Sequence, residues 1–373
     1  MERWFSMRSF WAFFSILCLF LIASTSWANT PVPSPDHSGV ISGALPSSGQ
    51  IQWTFKAAQG ITGSMTWSDG KLFFSDEGGN LYCVKSSDGK ILWQLRFDVM
   101  LYGAPIVSGN RLYTGSGSGA VYALAAESGS ILWNAKLSSL PPDQGSGGII
   151  SSLALLGNRL IATDLEGIVT CMNADDGHTL WCFKTQRDIR SSPTVVDSLV
   201  FVGDHAGGFH ALDLKTGKRL WGGSSGGPID VAPSYSDGIV YYGGWDGVLH
   251  AIQVKGVIPK WQFKGNGAIS THIALADEKA FWGTSSGTVH AVETTKGKSL
   301  WSLNVGEGVT SSPIAAQGVV FLITSSGTLK ALDSTTGSTK WETNLGASVI
   351  STPVIAEGLL FVGTADGTVR ALR

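Results

Sequence analysis

Three histidines, His210, His250 and His290, recur at intervals of 40 residues. Histidine is the commonest metal-binding side chain, so the spacing first suggests a metal site. A zinc ion needs its ligand atoms about 2 Å away. Equivalent positions in successive sheets packed face to face stand roughly 10 Å apart. The three therefore read as one amphipathic column with a polar tip, and the same column holds Tyr82, Tyr122, Lys330 and Arg370. The carboxylates Asp76, Glu77, Asp164, Glu166, Asp204, Asp246 and Asp366 fall in turn-like stretches such as "DHAGG". Asp before Gly is ordinary turn chemistry, and no single loop supplies the alternating oxygens of a calcium site. No glycine-rich phosphate loop and no Ser/His/Asp set stands out. Arg190 and Asp230 each follow a tryptophan by nine residues. They read either as a structural ion pair or as ligand-binding groups at the mouth of a funnel.

The elements that must position these groups are set by a tryptophan series. Trp53, Trp93, Trp133, Trp181, Trp221, Trp261, Trp301 and Trp341 are separated by 40 residues, apart from one gap of 48. Around each recurs a pattern seen in "SSPTVVDSLVFVGDHAGGFHALDLKTGKRLW" (191–221). Its apolar runs are short and are separated by turn signals, which predicts four antiparallel strands per unit. Some runs are apolar at consecutive positions, as expected for sheets covered on both faces. The last unit ends at Arg373 without its Trp strand, and "PSSGQIQW" (46–53) has the length and the Gly and Trp of the missing piece. The sequence thus predicts an all-β, eight-bladed β-propeller over 46–373, its C-terminal blade completed by an N-terminal strand around Trp53. Such closure leaves no sheet edge open at the seam.

Two columns refine the picture. Glycine stands four before the Trp in seven units, from Gly49 to Gly337, where a hairpin turn calls for positive φ. Ten before the Trp stand only Ala, Cys83 or Cys171, so those cysteines read as small buried residues.

Residues 1–28 run from basic Arg3 and Arg8 through an apolar stretch to small residues at Ser26 and Ala28. That order predicts a cleaved secretory signal and a periplasmic or extracellular location. A Pro/Ser/Gly linker, 29–45, follows. Removing 1–28 takes Glu2, Arg3 and Arg8 from 28 acidic and 26 basic residues and leaves a formal charge of −3. Nothing in that balance favours nucleic acid or an anionic membrane surface. No membrane span is expected after cleavage, and a monomer is expected. Three cysteines remain, so at least one is unpaired; the sequence leaves open whether Cys171 and Cys182 join.

"ALDLKTGKRLW" (211–221) carries the pattern A-x-D-x-x-T-G-K-x-x-W, and "AVETTKGKSLW" and "ALDSTTGSTKW" repeat it in part. This resembles the tryptophan-docking motif of the pyrrolo-quinoline quinone (PQQ)-like propeller repeats, over 46–373. The resemblance implies one of two kinds of protein. Quinoprotein dehydrogenases bind PQQ with calcium in the central funnel, and many carry adjacent cysteines and long insertions. Non-catalytic members, such as BamB-type outer-membrane assembly factors, use the ring to hold partners. Here there is no Cys-Cys pair, and the chain is nearly minimal repeat. The expectation is a scaffold without a cofactor that binds a protein partner, with a PQQ-dependent alcohol or sugar dehydrogenase as the alternative. A carbohydrate-binding module is a weaker third reading.

Function in a rigid ring is added where the repeat breaks. Eight extra residues lie near "LSSLPPDQGSGG" (137–148). By strand alternation this connection shares one face with the turns containing "DHAGG" and "GWDGV". On that face the candidate partner or ligand residues are Tyr102, Asp143, Gln144, Arg190, Asp230, Trp245, Asp246 and His272. "GGSSGGP" after Trp221 suggests a weak, mobile blade edge.

Overall fold

The computed structural model describes residues 44–61, 63–137 and 147–373. The candidates Asp143 and Gln144, the signal-like segment and most of the linker lie outside the described residues. The described residues form thirty-two strands, from β1 (Ile51–Lys56) to β32 (Thr368–Leu372). They assemble into eight four-stranded antiparallel sheets, the blades of a propeller. Blade 1 is β2 (Thr66–Ser68), β3 (Lys71–Ser75), β4 (Asn80–Lys85) and β5 (Ile91–Arg96), from axis to rim. Blades 2 to 7 repeat this order. Blade 8 is β30 (Val354–Ala356), β31 (Leu359–Gly363), β32 and, at the rim, β1.

Strand β1 pairs antiparallel with β32, Trp53 opposite Ala371 and Phe55 opposite Val369. The Ser48 hydroxyl donates to the Arg373 carbonyl at 2.8 Å. Across the seam to blade 1, the Glu357 carboxylate accepts from the Ser86 hydroxyl at 2.6 Å and from the Trp67 indole at 3.3 Å.

Each blade presents a buried second strand and a rim strand exposed along one side, as the apolar runs require; Lys71–Ser75 and Ile91–Arg96 show the contrast. The small column lies directly across from the tryptophans, with Cys83 opposite Trp93 and Ala211 opposite Trp221. The indoles reach the next blade. Six donate their N–H to its backbone, Trp93 to Ala126 at 2.9 Å and Trp301 to Ser334 at 3.0 Å among them. The glycine ahead of the next tryptophan receives the ring. Gly217 has φ 70°, and a Cβ there would lie 2.4 Å from the Trp181 ring. Two constraints, positive φ and lack of room, thus fall on one position.

The "GGSSGGP" segment differs from the expectation. Arg219–Ser224 is a strand of alternating exposure paired with Gly208–Leu212, with one register shift between Ala211 and Leu212. Its Gly223 is where a neighbour supplies the missing bulk. A Cβ on Gly223 would lie 2.5 Å from the Tyr242 hydroxyl of blade 5. The Tyr242 ring stacks on Phe209 of blade 4 with centroids 4.1 Å apart. The same junction tolerates Val257 (φ 52°) where the other hairpins carry glycine.

Cys83, Cys171 and Cys182 are free thiols, the first two buried and the third exposed. Burial pushes the Cys83 thiol up to about 12, against the pull of Lys71. No helix of the described residues is long and apolar enough to cross a membrane.

Candidate functional site

The turn after each second strand and the connection from each rim strand to the next blade lie on one face, as Phe97 N–H donating to the Gly79 carbonyl illustrates. On this face the inner strands open into an axial funnel with a cavity of about 210 Å³. Four candidate residues meet there: Tyr102, Arg190, Asp230 and His272 all line it. Tyr102, Arg190 and Asp230 belong to an upper tier with Ser270 and Thr310, nine residues after their tryptophans. Two positions further along, Ser64, Ser152, Ser192, His272, Ser312 and Thr352 form a lower tier.

The lower tier is bound into the wall by hydroxyls that accept amides from the preceding blade. Ala104 N–H donates to Ser152 at 2.9 Å, Ser152 N–H to Ser192 at 3.0 Å, His272 N–H to Ser312 at 3.0 Å and Thr352 N–H to Ser64 at 3.1 Å. Ala104 and Ala232 stand where other blades place a hydroxyl or His272. The "SSP" and "STP" stretches were legible as strand starts, but their hydroxyls as a ring were not.

Arg190 and Asp230, read as an ion pair or as ligand-binding groups, are not paired with each other; each has another partner. Arg190 Nε donates to Asp188 at 2.8 Å, a bond that raises the guanidinium above its ordinary value. Asp230 lies 2.9 Å from Nδ1 of His205. His205 meets the Trp245 ring edge to face, centroids 5.6 Å apart at 86°. Trp245 does not line the cavity. It stands beside the mouth, 53% exposed, braced from within by His205 and Asp230. Asp246 is partly buried and tied to the connection beside it. It accepts from the Ser225 hydroxyl at 2.8 Å and the Gly226 N–H at 2.9 Å, which ties the connection that follows "GGS". Partial burial works to raise its carboxyl, and these bonds with that from Val248 outweigh it and hold it below the ordinary value. His205 and Asp188 were missed in the sequence, because nothing in their spacing marks them as partners.

The histidine column divides into three separate environments. His210 Nε2 bonds to the buried Asp204 at 2.8 Å. His290 Nδ1 bonds to Ser302 at 2.9 Å and its ring stacks on Trp282. His250 lies parallel on Tyr242, centroids 4.7 Å apart, and its Nε2 is buried without a hydrogen bond. Burial depresses His290, and burial, partly offset by Asp246, depresses His250. Below the unfolded value of about 6.5 the unfolded chain takes up protons that these folded sites refuse. Stability is therefore expected to be intact above that value and to fall as pH is lowered through the window beneath it, by at most about 1.4 kcal/mol per pH unit per histidine. Urea unfolding at pH 7.5 and 5.5 checks this. His250→Phe, which keeps a ring on Tyr242, should flatten the acid limb.

Residues 37–165, 165–311 and 285–373 match the family model described as "Outer membrane protein assembly factor BamB". Among solved structures, BamB from Moraxella catarrhalis has a TM-score of 0.75 at 19% identity, over 87% of this chain and 97% of its own. Quinohemoprotein alcohol dehydrogenase from Comamonas testosteroni has 0.76 at 12% identity, over 92% and 80%. Sqt1 from Saccharomyces cerevisiae has 0.73 at 14%, over 87% and 99%. At these identities the likeness is one of fold alone. No curated protein matches the chain.

Proposed function

Since the chain belongs to the family described as outer membrane protein assembly factor BamB, we propose that it is a non-catalytic scaffold that holds a protein partner. It acts outside the cytoplasm, in the periplasm or beyond, and uses the face that carries the funnel mouth and the 137–148 connection. The observation that supports this most is Trp245. A large aromatic side chain, more than half exposed, stands there on an ordered support. Tryptophan in such a setting is the typical anchor of a protein interface. Met100 adds exposed apolar surface on the same face.

The chemistry of the funnel wall supports a reading without a cofactor. PQQ with calcium would need several oxygen ligands around one ion. The cavity lining contains one carboxylate, Asp230, and His205 engages it. Among the described residues no three His, Cys, Asp or Glu side chains form a group that could hold a metal ion.

Capture from the native envelope with the full chain tests the proposal. Wild type should retain a specific protein, and Trp245→Ala should bind it about 30-fold more weakly or worse. Capture unchanged by both Trp245→Ala and deletion of 138–145 would reject this face. Stoichiometric PQQ uptake with dye-linked turnover of an alcohol or sugar would reject the scaffold reading itself.

A further inference from the structure

We propose that the axial funnel is a binding site for a neutral polyhydroxylated small molecule, a mono- or disaccharide, distinct from the surface around Trp245. The first reason is the kind of group on the wall. Most polar side chains there are hydroxyls, and a hydroxyl both donates and accepts. The clasp fixes their roles. Ser152, Ser192, Ser312 and Ser64 each accept one amide from the preceding blade, and each keeps its own proton to donate and a further lone pair to accept. Ser192 and Ser312 are buried to more than nine-tenths, so their orientation is built into the ring. A ligand that is also rich in hydroxyls matches such a wall at every point. A carboxylate would need donors alone, and an ammonium group acceptors alone.

The second reason is charge. The lining holds one guanidinium, Arg190, and one carboxylate, Asp230. Each has a partner, Asp188 and His205 respectively. An anion bound at this tier would meet Asp230, and a cation would meet Arg190. A neutral polyol can donate to the carboxylate and accept from the guanidinium, both of them strong hydrogen-bonding groups. His272 and Tyr102 complete the set, and the half-exposed ring of Tyr102 at the rim offers a flat face to the C–H side of a sugar.

The third reason is size. A cavity of about 210 Å³ falls below the roughly 300–1,000 Å³ of sites for drug-sized ligands. It suits one sugar ring, with a second ring projecting from the mouth.

The test uses the full folded chain and four named probes: D-glucose, D-galactose, N-acetyl-D-glucosamine and maltose. Calorimetric titration and saturation-transfer NMR should show saturable binding of at least one probe, one molecule per chain. Arg190→Gln and Asp230→Asn should each weaken it about tenfold or more while the thermal midpoint stays at the wild-type value. Trp245→Ala should leave it unchanged, so failure of this site and failure of the partner surface are read separately. If either cavity variant melts early, backbone shifts of the wild-type chain on titration serve instead, and they should concentrate at 190–192 and 270–272. The proposal is overturned if none of the four sugars binds saturably. It is also overturned if binding survives both cavity variants, if the shifts fall elsewhere, or if a hexapeptide with a free C-terminal carboxylate binds the funnel while the sugars do not.

Discussion

Removal of Ile51–Lys56 is expected to destroy the cooperative fold, although those residues make up one strand in thirty-two. The strand carries Trp53, whose indole donates to the Ser86 carbonyl of blade 1 at 2.9 Å. It also carries Phe55, whose ring meets Phe74 and Tyr82 of blade 1 at 5.6 and 5.4 Å. Loss of two such aromatic contacts costs at least about 6 kcal/mol, against a total stability of about 5–15 kcal/mol for a folded domain. It also exposes the unpaired edge of β32, a template for association. A chain starting at Ala57 should therefore melt broadly or aggregate. A synthetic peptide covering 44–56, added in trans, should restore a sharp thermal transition. A truncated chain that unfolds as sharply as the intact one, at the same midpoint, would show that the ring does not depend on its seam.

Trp301→Ala should have the largest effect of any single docking substitution tested in an unaltered blade junction, about 3 kcal/mol. That is the low end of the range for tryptophan truncation, chosen because the ring is half-buried at the rim. About 1 kcal/mol of it belongs to the indole bond to Ser334. Trp301→Phe should accordingly cost less than Trp301→Ala. Gly337→Ala attacks the same joint from the other side: φ is 73°, and the new methyl would stand 2.8 Å from the Trp301 ring. Its backbone cost alone is about 1–2 kcal/mol. Trp221→Ala should be milder than Trp301→Ala, because Val257 replaces the docking glycine there and the Phe209–Tyr242 stack carries part of that junction. Urea denaturation curves give all four values. Equal losses for Trp221→Ala and Trp301→Ala would contradict the account of the altered junction.

The site was legible only in part. Arg190 and Asp230 could be placed at the funnel mouth because both stand nine residues after a tryptophan, and a shared register in a repeat means a shared radius and height; Tyr102 and His272 could be placed only on the same face. Trp245 could be placed on the same face by strand alternation. The pairing of Arg190 with Asp230 could not be read correctly. The same register in adjacent blades brings two side chains near each other, yet each has a closer partner, Asp188 two residues back and His205 on a turn of the preceding blade. Asp246, read as a turn residue and a candidate on the partner or ligand face, fastens Ser225 and Gly226. Of the glycines after Trp221 that looked like weakness, Gly223 makes room for Tyr242.

What the sequence determined by itself is the closed ring: eight units, four strands in each, and a seam sealed by residues near Trp53. Those features follow from local patterning that repeats, since strand alternation, turn glycines and a tryptophan at fixed intervals leave few other ways to bury the apolar runs. What only the tertiary structure decided is which polar groups meet at the axis and which hold one another. Hydrogen bonds act over about 3 Å, and the direction of a side chain across two blades is set by packing rather than by its place in the repeat.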